Sequence, residues 1–408
     1  MKGRKVALFV TKIKFILNFS SIFCVIGFFF VSLHAEMCKV NMRLKKLSLK
    51  NNKTGWNVQD IEFGSLTLFV GASGVGKTQI LRALVRLSQV ALGRSYNGME
   101  WEVSFTQGGH SYQWSGAFEA ADIEEDMYIS KEILYDILWE KVSVDEQMIL
   151  DRQGDQIIYK NQQTLKLDRQ KSAVNILRQE EDVEPIFSAF GRLYQLDTNS
   201  RSINLSPVMQ NQSKALSLSE IRHLYPRLSA IDKLFLMRKN NLPEFFDVCD
   251  DFCKIFTSIE RIDFTTGRYF DERTYPILQI KERGSDAWIL QSEISAGMYR
   301  TLSMLVALYL AEDGDVILVD EFENGLGVNC INELAEMFIN PESNVQIIMT
   351  SHHPYIINTI PYQSWKVVTR NGSTVQIHTA DELNIGAHSK HDAFMQLIQT
   401  SAYQKGSL

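Results

Sequence analysis

The sequence predicts an α/β fold built on a buried parallel sheet, and three observations carry that reading. Short apolar runs of strand length, "LTLFV" (66–70), "VILV" (316–319) and "QIIMT" (346–350), lack the alternation of a half-exposed strand. Such runs fit strands covered on both faces, as in sheets sandwiched between helices. Each run gives way at its carboxyl end to small, charged or polar residues: "GASGVGKT", "DEFENGL" and "SHHP". Helical periodicity follows the first of these, in "TQILRALVRLSQVAL", where Ile80, Leu84, Leu87 and Ala91 recur on one face with Leu81 beside them. In open sheets of this kind, ligands bind beyond the carboxyl ends of the strands.

The spacing Gly71, four residues, Gly76, Lys77, Thr78 is that of the phosphate-cradling loop of nucleoside triphosphatases. It follows an apolar strand and opens a helix, the context its mechanism requires. Backbone N–H groups of Gly71, Ala72, Ser73, Gly74, Val75 and Gly76, with the helix N-terminus, face the phosphates. Lys77 then reaches the β and γ oxygens, and the Thr78 hydroxyl is a ligand for Mg²⁺.

The second strand, in "DVILVDEFENGL", ends on paired acids. Asp320 is placed to hold Mg²⁺ through its water shell, and Glu321 to orient and deprotonate an attacking water. Between these two elements, "SEISAGMYRTLSMLVALYL" reads as a helix with Ser295 as N-cap and Gly297 permitting close approach of the backbone to a phosphate. Leu302, Leu305, Leu308 and Leu310 mark its inward side. The third strand ends at Thr350 and is followed by His352, suited to contact the γ-phosphate or the attacking water.

Composition bounds what surrounds these elements. At 408 residues, with 45% hydrophobic and 22% charged residues, the chain can bury a large core. A net charge of −6 argues against a uniformly basic nucleic-acid binder, although a local groove for nucleic acid stays open. The cysteines at 24, 38, 249, 253 and 330 are odd in number and scattered, which fits reduced thiols in a cytoplasmic protein. Cys249 and Cys253 have no second Cys or His pair nearby in sequence, so packing is preferred to a metal site.

The first forty residues differ from the rest. Phe15 to Leu33 carry no charge and follow Lys2, Arg4, Lys5, Lys12 and Lys14. This stretch reads as a signal peptide, as one membrane anchor, or as sequence upstream of a true start at Met42. Lys39, Arg43, Lys45, Lys46 and Lys50 follow it, so charge does not choose an orientation.

The P-loop, "SAGMYR", "VDEFENGL" and "TSHHP", in that order, resemble the ABC-type ATPases related to RecF, SMC proteins and the overcoming-lysogenization-defect nucleases. The resemblance spans roughly residues 42–358. It implies a P-loop domain of ABC-ATPase type that binds ATP with Mg²⁺ and closes as a head-to-head homodimer. Ser295 and Gly297 of one copy would then cap the γ-phosphate held by Lys77 of the other, with Asn324 in the subunit-contact loop. Gly327 and Val328 stand where the family often has His-Pro. Gln107, Gln162 and Gln163 are candidates for the glutamine that couples the γ-phosphate to a helical lobe, and Trp56 for the aromatic that stacks on adenine. Little chain follows Pro354 and it holds no acidic cluster of two-metal type, so the nuclease fused to some relatives is not expected there.

The expected organisation is an apolar N-terminal segment (1–41), a first ATPase lobe with the P-loop (42–165), a helical insertion (166–262) and a second ATPase lobe (263–408). No heptad pattern in the insertion supports a long coiled coil. The expected function is an ATPase whose dimer regulates a separate effector, such as a nuclease, or engages nucleic acid, in bacterial defence or DNA maintenance. The alternative is the nucleotide-binding subunit of a membrane transporter, which the apolar N-terminus favours and "ENGL", where transporters resemble "PTSALD", disfavours.

Overall fold

A computed structural model describes residues 41–122, 134–196, 215–224, 228–268, 274–386 and 390–407. The apolar stretch 15–33 lies outside them. Among the described residues no helix is long and apolar enough to cross a membrane.

The first strands are β1 (Arg43–Asn51), β2 (Asn57–Glu62) and β3 (Leu66–Val70), and β3 runs through the P-loop into α1 (Lys77–Ala91). An antiparallel series follows: β4 (Met99–Gln107), β5 (His110–Phe118), β6 (Ile137–Val144), β7 (Gln147–Gln153), β8 (Gln156–Tyr159) and β9 (Gln162–Gln163). The chain then returns through α2 (Ala173–Ile176) and α3 (Glu184–Gly191) to a short strand, β10 (Leu193–Gln195).

After β10 comes a helical lobe of α4 (Leu218–Leu224), α5 (Ala230–Lys239) and α6 (Pro243–Ile255). A separate antiparallel sheet of β11 (Ile259–Arg268), β12 (Thr274–Glu282) and β13 (Trp288–Leu290) completes it. The last stretch holds α7 (Ala296–Tyr309), β14 (Val316–Val319), α8 (Val328–Ile339), β15 (Gln346–Thr350) and α9 (Pro354–Thr359). It ends with the hairpin β16 (Trp365–Asn371) and β17 (Thr374–Thr379), then α10 (Lys390–Gln399) and α11 (Ser401–Lys405).

One sheet of fourteen described strands unites most of this, in the order β10-β14-β15-β3-β16-β17-β2-β1-β4-β5-β6-β7-β8-β9. Its first five strands are mutually parallel. All of β14 and β15, and β3 from its second residue, are buried, as expected for strands with helices on both faces. β15 lies between β3 and β14, so the P-loop strand and the Asp-Glu strand are not neighbours. At the amino edge, the buried Gln346 side chain accepts from Leu44 N–H at 2.8 Å and donates to the carbonyls of Leu44 at 3.0 Å and Gly64 at 2.7 Å, tying the antiparallel wing to the core.

The wing is held by alternation and by aromatic packing. Trp101, Val103 and Phe105 of β4 point inward, Trp101 meets Trp114 edge-on at 5.4 Å, and Phe190 of α3 meets Trp114 at 5.0 Å. A fully buried pair, Glu140 and Arg152, pins the chain on its way to α2. Glu140 accepts from Trp114 Nε1 at 2.9 Å, Ala173 N–H at 2.7 Å and the Ser172 hydroxyl. Arg152 donates to the carbonyls of Gly154, Asp168 and Lys171 at 2.9–3.1 Å. Burial raises the Glu140 carboxyl above its ordinary range, opposed by these donors and by the Arg152 charge.

The expected insertion, 166–262, includes segments that pack in two places. Residues 173–195 pack against α1, and β10 pairs with β14 in the main sheet, so they belong to the ATPase core. The described part of the lobe instead begins at 215 and runs through β13. Its helices α5 and α6 pack on α7 in the second apolar cluster. Sequence periodicity marked 173–191 as helical but could not say which core those helices join. Arg222 of α4 anchors the lobe by donating to Leu310 O at 2.7 Å and pairing with the buried Asp315 at the amino end of β14.

Candidate nucleotide site

The parallel strands bring the functional candidates to one edge. β3 turns into the P-loop at Gly71, where φ is 141° and an added Cβ would lie 2.5 Å from Val368 O of β16; glycine is required there. Lys77, 5% exposed, folds its ammonium back on the loop, donating to the carbonyls of Gly71 and Ala72 at 2.8 Å each. Burial brings its pKa down to about 8, against the opposing charges of Glu323, Asp320 and Glu321.

From β14, one oxygen of Asp320 receives two hydroxyls, Thr78 Oγ1 at 3.1 Å and Thr350 Oγ1 at 2.8 Å. Thr350 is the last residue of β15, and its hydroxyl also accepts from Glu321 N–H at 2.7 Å. A threonine on the intervening strand thus fixes both acids. Glu321 has φ of 46°, uncommon for a residue with a side chain, and its carboxylate is exposed, accepting from Asn324 Nδ2 at 3.2 Å.

The donor set fits Mg²⁺, which takes one or two carboxylates, a hydroxyl, water and substrate phosphate rather than an all-protein cage. No cluster of three or more His, Cys, Asp or Glu residues suited to a metal occurs among the described residues.

His352 follows β15 at the same edge, its backbone N–H donating to Glu323 Oε1 at 2.7 Å. Burial, reinforced by the Lys77 charge, holds its imidazole below the ordinary histidine value, hence neutral at pH 7.

Residues 168–358 match the family model described as "AAA domain, putative AbiEii toxin, Type IV TA system". Over those residues the chain is similar to AAA-type ATPase domains. Similar solved structures include an Smc head bound to the C-winged helix domain of ScpA (12% identity, 82% of this chain and 97% of that one, TM-score 0.46). Others are an Smc head with an extended coiled coil bound to the C-terminal domain of ScpA from Pyrococcus furiosus (13%, 83% and 96%, TM-score 0.46) and the SMC head domain from Thermotoga maritima (15%, 83% and 98%, TM-score 0.36). No curated protein matches the chain.

Within the matched stretch, Ser295 caps α7, its hydroxyl accepting from Met298 N–H at 3.2 Å, and Ser295 and Ala296 are exposed. Among the described residues no hydrogen bond links Ser295 to the P-loop. Gly297 has a reason within its own chain, since an added Cβ would lie 2.7 Å from Gly325 O.

The glutamine candidates fall away from the site. Gln107 ends β4 next to Thr106, which pairs with Arg43, and Arg43 bonds Asn344 at the amino edge. Gln162 and Gln163 form β9 at the far end of the wing. Gln195, missed in the sequence, ends β10 in register with Leu318, two residues before Asp320, at the edge where the P-loop lies. Its three-residue strand gives too short a pattern to find, and only pairing with β14 marks it. Trp56 stands beside the P-loop, its Nε1 3.9 Å from where a Cβ on Gly76 would lie. That Nε1 is buried and makes no hydrogen bond among the described residues. Glu323 and Arg300, also unanticipated, complete the charged surroundings of Lys77 and Glu321.

Proposed function

We propose that this ATPase domain binds and hydrolyses ATP, pairs head to head with a second copy while ATP is held, and so regulates a separate effector. The observation that carries the reading is the hydroxyl and carboxylate cluster of Thr78, Asp320, Thr350 and Glu321 at the strand edge from which Lys77 and His352 also emerge. Lys77 leaves its loop carbonyls for the β and γ oxygens. Thr78 and Asp320 would hold Mg²⁺, which neutralises charge on the phosphates. Glu321 orients a water toward the γ-phosphorus and accepts its proton, while neutral His352 reports the γ-phosphate. Gln195 links that phosphate to the helical lobe after β10.

Ser295 and Gly297 serve a nucleotide held by the other copy. The exposed end of α7 supports this, because a helix N-terminus with free N–H groups is made for phosphate. The nucleotide then acts as a linkage ligand for the dimer, and its cleavage releases it. Bacterial defence in the cytoplasm is the favoured setting, from the toxin–antitoxin description of the matching family. A nuclease is one effector class that fits, and nucleic acid is the other partner class.

Light scattering tests the pairing. With ATP and Mg²⁺, Glu321→Gln should elute at twice the monomer mass; Ser295→Arg in that background should stay monomeric while still binding ATP, and Gln195→Ala should pair less. A monomer under all conditions refutes the reading.

We further assign Trp56 to stacking on the adenine ring. Trp56→Ala should weaken nucleotide binding by about 1–3 kcal/mol. ATP should quench indole emission in the wild type and not in Trp56→Phe, and equal quenching in both would dismiss the assignment.

A further inference from the structure

α7 is buried from Tyr299 to Ala307, and Arg300 is the charged residue in that stretch. Arg300 is 5% exposed, and its Nη2 donates to two consecutive carbonyls, Glu321 O at 2.8 Å and Asp320 O at 3.3 Å. A buried guanidinium is costly unless its surroundings compensate it. Here the carboxylates of Glu323, Glu321 and Asp320 all offset the burial.

The turn it grips is strained. Glu321 sits at φ 46°, a conformation costing on the order of 1 kcal/mol or more that persists only where neighbours over-determine it. Thr350 Oγ1 holds its N–H, and its carbonyl receives both Arg300 and the N–H of Asn324, at 2.8 Å each. Four residues farther on, Gly325 O lies so near Gly297 of α7 that an added Cβ there would be 2.7 Å away. Helix and turn therefore meet at two points in the same chain, a close backbone approach at Gly297 and charge-assisted hydrogen bonds from Arg300.

We infer that Arg300 is a positioning residue that makes the aim of Glu321 depend on the seating of α7. The helix end carrying Ser295 and Gly297 and the carboxylate serving the chain's own nucleotide form one mechanical unit. On the pairing reading above, on which this rests, a nucleotide engaged in the partner's site is thereby reported to Glu321 in this one. Arg300 touches neither substrate nor reacting atoms.

The test uses the full chain with Arg300→Met, Arg300→Gln and Arg300→Lys, read by amide hydrogen exchange and by kinetics. Arg300→Met should raise exchange at Phe322 to Leu326 by about tenfold or more and leave β3 and α1 unchanged. Its kcat should fall about 10- to 100-fold, the scale of a misplaced catalytic group, with ATP affinity within about threefold. Arg300→Lys should restore part of both effects. Should the Met variant not fold, Arg300→Gln, which keeps one shorter donor, carries the same expectation. Wild-type kcat and exchange in Met or Gln overturns the inference, as does an exchange increase spread evenly over β14, β15 and α7, which marks plain structural support. If the wild type shows no ATP turnover, the hydrolysis reading fails by itself, and the exchange contrast still decides the role of Arg300.

Discussion

Replacing Glu321 by Gln should lower ATP turnover by about 10²- to 10⁴-fold, the range for loss of a positioned general base, while ATP affinity stays within a few-fold. The two effects separate because of how Glu321 is held. Its backbone is fixed by Thr350, Arg300 and Asn324, and the Asn324 side chain also donates to the carboxylate at 3.2 Å. An amide of the same shape keeps an oxygen for Asn324 and loses only the proton acceptor. Lys77, Thr78 and Asp320 remain, so the phosphate contacts remain. Phosphate release beside a nucleotide titration measures both quantities. Undiminished turnover would remove Glu321 from the chemistry.

The second large effect concerns Lys77 and pH. Its pKa is brought from 10.5 to about 8 by burial, so the empty site loses the lysine proton as pH rises through about 8. The unfolded chain keeps that proton until near 10.5. Between these values the unfolded state binds more protons, and this group's contribution to stability rises with pH; below 8 the buried charge is a cost. Nucleotide binding has the opposite dependence, because phosphate requires the charged form. ATP affinity should be level below pH 8 and then fall by up to tenfold per pH unit, as one proton is taken up on binding. His352, held below its ordinary value, does not titrate in that window. Lys77→Arg should flatten the profile, since guanidinium stays charged, and Lys77→Ala should lose most of the affinity at every pH. A titration with labelled ATP from pH 7 to 9.5 checks this. A wild-type profile that stays level to pH 9.5 would show that the Lys77 pKa is not lowered, and the Lys77→Ala loss alone would then test its contact with phosphate.

Much of the site was legible because its pieces are contiguous. Strand, glycine turn and helix from Leu66 to Ala91 are specified by residues within hydrogen-bonding reach along the chain. The same holds for the Asp-Glu pair after Val316–Val319 and for the capped α7. The hairpin β16–β17, which turns at Asn371-Gly372, and the helix α10 are equally local. The insertion boundary was not legible, because α2 and α3 are helical in either lobe and only their packing on α1 assigns them.

The sequence by itself determined the chemistry of the edge: which residues can meet phosphate, metal and water, and that strands buried on both faces present them. Tertiary structure alone decided that β15 enters between β3 and β14, so that Thr350 holds both acids and Asp320 meets Thr78 of the P-loop helix, and that Gln195 rather than Gln107 ends a strand at that edge. It also decided that Gly297 and Arg300 lock onto the Glu321 turn. Periodicity reports how each residue is exposed along its own element; which strands become neighbours is set by contacts far apart in the chain, and no local pattern encodes them.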